Sequence, residues 1–259
     1  MPYADSAGTG IYYEAEGDPG GECVLFVHGA GGNAGIWYQQ VEHFAGLGYR
    51  CVTLDQRTFA RTSADPATCH PEQFRDDALA VLDAADVRRA HVVGQSLGGF
   101  TALRMALDAK ERVTSLTMSA TPGGLPNETP TPAVRSLLSS EGSGGDGVIA
   151  TMSGATMKDP MKVRLYRVIN GFNVNFSFAN LGALGTYGVS FEEARGLACP
   201  LLFVAGDEDP LFPPPLLQSY VPELPGSRCV VVQDSGHSPY FEQPAVFNAL
   251  LHDHIKAAS

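Results

Sequence analysis

Short runs of apolar residues, rich in β-branched side chains, recur along the chain and end at turn-forming or polar residues. Such runs are typical of strands buried on both faces of a parallel sheet, because neither face meets water. A short strand is predicted at 11–15, ahead of a Gly/Pro turn. The six apolar runs that follow lie at 23–27, 51–54, 91–93, 113–118, 201–204 and 229–232.

Helical periodicity separates several of these runs. Residues 72–85 place Phe74, Leu79 and Leu82 on one face, and Pro71 suits the first turn of that helix. Two further helices are predicted at 97–107 and 245–255. Strands alternating with helices predict an α/β fold with a mostly parallel central sheet and helices on both faces.

One long segment interrupts this alternation. No buried strand is predicted between the runs at 113–118 and 201–204, where a Pro/Ser/Gly-rich stretch precedes helical pieces near 148–157 and 161–169. We therefore expect a core formed by 1–121 and 199–259 and a helical cap at 122–198. Its apolar side chains are suited either to a small core of the cap or to a substrate pocket. Candidate substrate-binding residues are Met152 and Phe172 from the cap and Trp37 from the core.

Net charge and cysteine content exclude several classes of partner and of metal site. The formal net charge of −11 argues against nucleic acid and anionic membrane surfaces, which need clustered Lys and Arg. Five cysteines, with no spacing typical of zinc sites, predict free thiols and no metal centre. The beginning of the chain lacks the pattern of a signal peptide, and no apolar run approaches about 20 residues. We expect a cytoplasmic protein.

The sequence G-Q-S-L-G at 94–98 follows a predicted strand and begins a predicted helix. In this context a G-x-S-x-G motif predicts a sharp turn with Ser96 at its apex, beside the dipole of the helix N-terminus. Gly94 and Gly98 lack a Cβ, so the strand and the helix can approach each other closely. Ser96 is the candidate nucleophile, and the alternative is a serine that only caps the helix.

A serine nucleophile needs a base, and a base of this kind needs an acid. His237 lies between the last strand and the last helix, where loops gather at the carboxyl ends of the strands together with Ser96. The preceding strand ends in G-D-E-D-P at 206–210. We predict Asp209 as the acid, because Asp207 directly follows the strand and is placed to cap the turn, whereas Pro210 stiffens the loop at Asp209.

The tetrahedral oxyanion of acyl transfer needs two N–H donors. Leu97, directly after Ser96, is predicted to supply one. The H-G-A-G-G loop at 28–32 is predicted to supply the other from Ala30. The alternatives for this loop are a flexible turn or a phosphate-binding loop, but a Walker motif and a nearby lysine are missing.

These motifs together resemble the α/β-hydrolase superfamily, and in particular its small capped members that act as esterases, lactonases or haloperoxidase-like enzymes. The resemblance covers almost the whole chain and implies Ser96, Asp209 and His237 as the triad, with the Ala30 and Leu97 amides as the oxyanion hole. One loop departs from the D-x-R-G-x-G-x-S pattern of the family. Thr58 and Ala60 stand where both of its glycines are expected, which leaves the backbone path of this loop open.

The predicted function is cleavage of a carboxylic ester or lactone through an acyl-enzyme, with a small-molecule substrate that has a mainly apolar body. No metal or organic cofactor is expected. Two alternatives stay open: a carbon–carbon bond hydrolase of the meta-cleavage type, and a ligand-sensing protein with negligible turnover. The sequence leaves the acyl group, the alcohol and the oligomeric state undetermined.

Overall fold

The computed structural model describes residues 2–127, 131–138 and 145–258. Residues 128–130 and 139–144 of the predicted cap, and both terminal residues of the predicted core, lie outside the described residues. Eight strands form one sheet: β1 Tyr3–Ser6, β2 Thr9–Gly17, β3 Cys23–Val27, β4 Arg50–Leu54, β5 Ala90–Gln95, β6 Val113–Ser119, β7 Leu201–Gly206 and β8 Arg228–Val232.

The described helices alternate with the strands and also fill the space between β6 and β7. They are α1 Tyr38–Gly46, α2 Pro71–Ala84, α3 Gly98–Asp108, α4 Pro132–Leu138, α5 Gly145–Ile149, α6 Gly154–Met157, α7 Pro160–Asn170, α8 Phe191–Ala194, α9 Pro214–Ser219, α10 Pro239–Glu242 and α11 Pro244–Lys256. Short 3-10 helices occur at Ala34–Trp37, Pro66–Thr68, Lys110–Arg112 and Phe178–Gly185.

The sheet has the strand order β1-β2-β4-β3-β5-β6-β7-β8. The strands from β4 to β8 in this order run parallel to one another, whereas β1 pairs antiparallel with β2 and β2 pairs antiparallel with β4. The predicted α/β fold with a mostly parallel sheet is confirmed. Strand β1 was not predicted, and β2 is longer than the predicted strand at 11–15.

Side chains of the central strands point alternately to two separate hydrophobic cores. On β3, Leu25 and Val27 pack into a core with residues of α2 and α3, while Val24 and Phe26 pack into a second core with residues of α1 and α11. All four side chains are fully buried. The sheet is therefore covered by helices on both faces, as a parallel sheet of apolar strands requires.

The region between β6 and β7 is helical in its described residues. Helices α4 to α8 lie there, and the inner side of α7 contributes Val163, Tyr166 and Ile169 to the second core. This confirms a small helical cap. Its predicted limits at 122 and 198 stay a prediction.

The loop that departs from the family pattern keeps the backbone that glycine favours. Thr58 has φ +70° and Ala60 has φ +38°, both in the left-handed region. The loop starts at Asp55, which is fully buried and accepts hydrogen bonds from the Ala34 and Arg61 amides at 2.7 and 3.0 Å. The loop therefore retains its turn, with two residues whose Cβ atoms strain it.

Replacing one of these residues by glycine should stabilise the protein. We expect Ala60→Gly to raise the free energy of unfolding by about 0.5–1 kcal/mol, since relief of left-handed strain exceeds the added entropy of the unfolded chain. The matched control is Ala80→Gly in the middle of α2, which should lower stability by about 1 kcal/mol. Urea titration of the three proteins checks this, and a loss of stability in Ala60→Gly would contradict it.

Candidate active site

Ser96 lies at the turn between β5 and α3 with φ +49°, a left-handed conformation that is strained for a residue with a Cβ. Hydrogen bonds fix this turn, because the Ser96 amide donates to the Ser119 carbonyl at 3.0 Å and the Thr121 hydroxyl donates to the Ser96 carbonyl at 2.7 Å. A Cβ added to Gly94 would overlap the Gly98 carbonyl oxygen. The glycines of the motif are therefore needed for the close approach of strand and helix.

The structure brings Ser96, His237 and Asp209 into one chain of hydrogen bonds. His237 Nε2 lies 2.9 Å from Ser96 Oγ, and His237 Nδ1 lies 3.0 Å from Asp209 Oδ2. His237 and Asp209 are both buried. A carboxylate only accepts, so Nδ1 carries the proton and Nε2 is left free to accept the Ser96 hydroxyl proton.

The Asp209 carboxylate is held in place by its own loop. Its other oxygen, Oδ1, accepts the backbone N–H groups of Leu211 and Phe212 at 2.8 and 3.2 Å. Asp207 instead accepts the Ser235 amide at 3.0 Å and caps the turn. Of these two carboxylates, Asp209 is the one that meets the histidine.

The two residues whose amides are predicted to bind an oxyanion border one cavity. Ala30 and Leu97 both line it beside Ser96. Neither backbone N–H donates a hydrogen bond within the described part of the chain. His28, at the start of the same loop, is buried and forms hydrogen bonds with two backbone groups. Its Nδ1 lies 2.8 Å from the Gly29 carbonyl oxygen, and its Nε2 accepts the Gln56 amide at 3.0 Å. Burial lowers the pKa of His28 to about 4, which keeps it neutral.

The cavity above Ser96 has a volume of about 640 Å³ and extends under the cap. No Asp, Glu, Lys or Arg side chain is among the described residues that line it. Polar groups are contributed by Ser96, His237, Gln95, Asn127, Tyr166 and Tyr187. Its apolar wall includes Phe100, Leu125, Phe178, Leu181, Leu184 and Phe212.

The three residues predicted to bind substrate are not among the described residues that line this cavity, and their role stays a prediction. Trp37 is fully buried in the second core, with its ring centroid 4.3 Å from that of Tyr240. Met152 is also buried in this core. Phe172 faces solvent instead, with 64% of its surface exposed. Periodicity marked these side chains as apolar but could not tell which surface each one faces.

A buried glutamate that the sequence analysis missed organises the loop of the histidine. Glu242 is fully buried, and its Oε1 accepts the Gly236 and Ser238 amides, on either side of His237, at 3.0 Å each. Its Oε2 accepts the Ser153 amide of the cap at 2.7 Å. One carboxylate thus joins the cap to the loop that carries the histidine. Glu242 is five residues from His237, in an apolar context that gave no signal.

We expect Glu242→Gln to lower kcat roughly 10- to 100-fold with little change in KM, because misplacing a reacting group by about 1 Å costs about 100-fold. An amide has one accepting oxygen, so its NH₂ group would face a backbone N–H on one side. The matched control is Glu208→Gln, which removes an exposed carboxylate that accepts the Gly154 amide of the cap at 2.7 Å.

Steady-state kinetics on both variants tests whether Glu242 positions the histidine or only stabilises the fold. Circular dichroism establishes that both variants are folded. Glu208→Gln should keep a kcat near that of the wild type. A Glu242→Gln protein that is fully folded and has wild-type kcat would show that the glutamate serves stability alone.

Relatives of this chain include a methylesterase and a hydrolase of a dioate. The chain is 29% identical to rhodomycin D methylesterase DauP of Streptomyces sp. (strain C5), over 96% of each chain. It is 25% identical to a 2-hydroxy-6-oxononadienedioate/2-hydroxy-6-oxononatrienedioate hydrolase of Pseudomonas sp., over 90% of this chain and 87% of that one.

A solved structure of similar fold is Est816, described as an N-acyl homoserine lactone degrading enzyme. It superposes with a TM-score of 0.81 at 26% identity, over 97% of this chain and 99% of Est816. The model of the alpha/beta hydrolase family matches residues 24–250. The chain belongs to the alpha/beta hydrolase family.

Proposed function

We propose that this protein is a serine hydrolase that cleaves an uncharged carboxylic ester or lactone through an acyl-enzyme. The observation that carries the proposal is the hydrogen-bonded chain from Ser96 through His237 to Asp209, which opens into an apolar cavity. A serine hydroxyl beside a buried, oriented histidine is the arrangement that acyl transfer requires.

In the proposed reaction, Ser96 Oγ attacks the substrate carbonyl carbon while His237 Nε2 takes the hydroxyl proton. The Ala30 and Leu97 amides donate to the oxygen on which negative charge develops, as oxyanion-hole donors do. The alcohol then leaves with the proton from His237, and water hydrolyses the acyl-enzyme by the same route. Asp209 keeps the histidine in the required tautomer and stabilises its charged form.

The lining of the cavity supports an uncharged substrate with a mainly apolar body. A carboxylate that enters such a site loses its hydration without gaining a Lys or Arg partner from the described lining. The Pseudomonas relative acts on dioates, as its name states. Carbon–carbon bond cleavage of such anions is therefore the second candidate. The lack of a Lys or Arg side chain in the described lining of the cavity disfavours it.

A matched pair of substrates tests both the reaction and the charge preference. We expect kcat/KM for p-nitrophenyl pentanoate to exceed that for mono-p-nitrophenyl glutarate, of equal length but anionic, by at least about 100-fold, because burying an unpaired charge costs several kcal/mol. A neutral lactone and a dienoate meta-cleavage product complete the panel.

Cleavage of the dienoate with no ester turnover would favour the carbon–carbon hydrolase. Tight ligand binding with no turnover of any substrate would favour the ligand-sensing protein. Equal rates for the two nitrophenyl esters would overturn the proposed preference for uncharged substrates.

A further inference from the structure

Exposed apolar side chains are concentrated on the outer surface of the cap. Ten large apolar side chains are exposed in the described part of the chain, and six of them lie between Met157 and Val174. Large apolar side chains scattered singly over a surface need no explanation, but a contiguous patch marks an interaction site. The outer face of the cap is therefore the strongest candidate for a further function.

These side chains form a stripe along α7. Met161, Leu165 and Val168 are 72%, 39% and 53% exposed, and their spacing of four and three residues puts them on one face of the helix. Phe172, four residues further, continues this spacing just after the helix ends. We name Met161, Leu165, Val168 and Phe172 the cap stripe. The opposite face of α7 is buried, and its Tyr166 lines the cavity.

Basic side chains flank the cap stripe. Residues 157–174 contain four Lys or Arg and one acidic residue, a formal charge of +3 in a chain of −11. Within α7, a rotation of 100° per residue puts Lys162 on one side of the stripe and Arg164 and Arg167 on the other. Lys162 Nζ donates to the Glu242 carbonyl at 2.9 Å, whereas Lys158 lies just before the helix and is exposed. The acidic residue, Asp159, caps α7 by accepting the Met161 and Lys162 amides at 3.0 and 3.2 Å.

We propose that the cap stripe and its basic flanks dock this protein on an anionic lipid surface, with α7 lying in the plane of the interface. Amphipathic helices with apolar and basic faces bind lipid interfaces by combining apolar burial with attraction to anionic headgroups. The total charge of −11 argues against such a surface only while the charges are averaged over the whole chain. The segment 157–174, which carries the cap stripe, has the opposite sign.

A second copy of this chain fits the same face less well. A two-fold dimer would place the cap stripe against itself and would bring the basic flanks of both copies together. An anionic bilayer is complementary both to the apolar stripe and to the positive charge beside it. With α7 at the interface, one face of the helix meets lipid and the other borders the cavity, so apolar substrates dissolved in the bilayer would be concentrated near the site.

Co-flotation with vesicles tests the proposal. We expect the wild type to bind phosphatidylcholine vesicles that contain about a third of phosphatidylglycerol, to bind pure phosphatidylcholine far less, and to dissociate as salt screens the charges. Lys158→Gln/Arg164→Gln should weaken binding about 25-fold, at about fivefold for each basic residue. Met161→Gln/Val168→Gln should weaken binding at least about tenfold through loss of apolar burial.

The matched control is Leu47→Gln/Val246→Gln, which alters two side chains of similar exposure outside the cap, 50% and 48%, and should bind vesicles like the wild type. Hydrolysis of a water-soluble ester by Met161→Gln/Val168→Gln should equal that of the wild type, which shows that the variant is folded. Failure of the wild type to bind anionic vesicles would overturn the proposal. The proposal would also be overturned if analytical ultracentrifugation showed a wild-type dimer that Met161→Gln/Val168→Gln abolishes. That result would assign the cap stripe to an interface between copies of this chain.

Discussion

Ser96→Ala should lower kcat for a nitrophenyl ester by about 10⁴-fold or more and change KM little, because the variant has no atom to form the acyl-enzyme. The cavity lining, His237 and the backbone N–H groups stay in place, so substrate binding should persist. The rate that remains above the uncatalysed reaction would measure what the Ala30 and Leu97 amides and the cavity contribute without the nucleophile.

The matched control for this variant is Ser119→Ala. Ser119 lies at the end of the neighbouring strand, and its buried hydroxyl has no hydrogen-bond partner within the described residues. Its carbonyl holds the Ser96 amide, and this bond survives the substitution. We expect wild-type kinetics from this control. An activated phosphonate ester should attach once, at Ser96 of the wild type, releasing one equivalent of nitrophenol. Labelling of another residue, or near-full activity of Ser96→Ala, would refute the assignment.

Asp209→Asn should also lower kcat about 10⁴-fold, because it turns the histidine into the wrong tautomer. The Leu211 and Phe212 amides both donate to Oδ1 of the carboxylate. They should therefore retain the oxygen of the replacing amide, and the NH₂ group must occupy the place of Oδ2. That group donates to His237 Nδ1, which leaves the proton on Nε2, where it blocks acceptance of the Ser96 proton.

Asp207→Asn is the matched control on the same loop. Its amide oxygen can still accept the Ser235 N–H, and among the described residues the carboxylate that bonds His237 Nδ1 is that of Asp209. We expect kcat within a few-fold of the wild type and a loss of stability of no more than about 1 kcal/mol. Steady-state kinetics on the two variants decides between the carboxylates. If Asp207→Asn lost the larger part of kcat, the assignment of the acid would be wrong.

The central fold was predictable because its strands are apolar on both faces. Such runs have few alternatives, and β3 was predicted with the limits that the structure has, Cys23–Val27. Strand β1 has only two buried residues, Ala4 and Ser6, on alternating positions with exposed neighbours. A four-residue alternation of this kind carries too little signal to distinguish an edge strand from a loop.

The arrangement of the candidate site was predictable as far as it depends on local motifs, whereas the roles of its residues stay predictions. The turn at Ser96 requires small residues at fixed positions, and the loops of Asp209 and His237 follow strands whose ends meet at one edge of the sheet. Glu242 escaped prediction because its three N–H donors come from two segments about 80 residues apart, at Ser153 and around His237. The facing of Trp37 and Phe172 depends on packing between cap and core, which periodicity does not encode.

The left-handed backbone at Ser96 sets two evolutionary pressures against each other. A serine at φ +49° costs roughly 1–2 kcal/mol relative to glycine, which takes this conformation freely. Selection for thermal stability alone would therefore favour glycine at position 96, and only selection for turnover would retain a hydroxyl there. Laboratory evolution of this chain that screens for heat tolerance without an activity screen would be expected to discard its proposed nucleophile early.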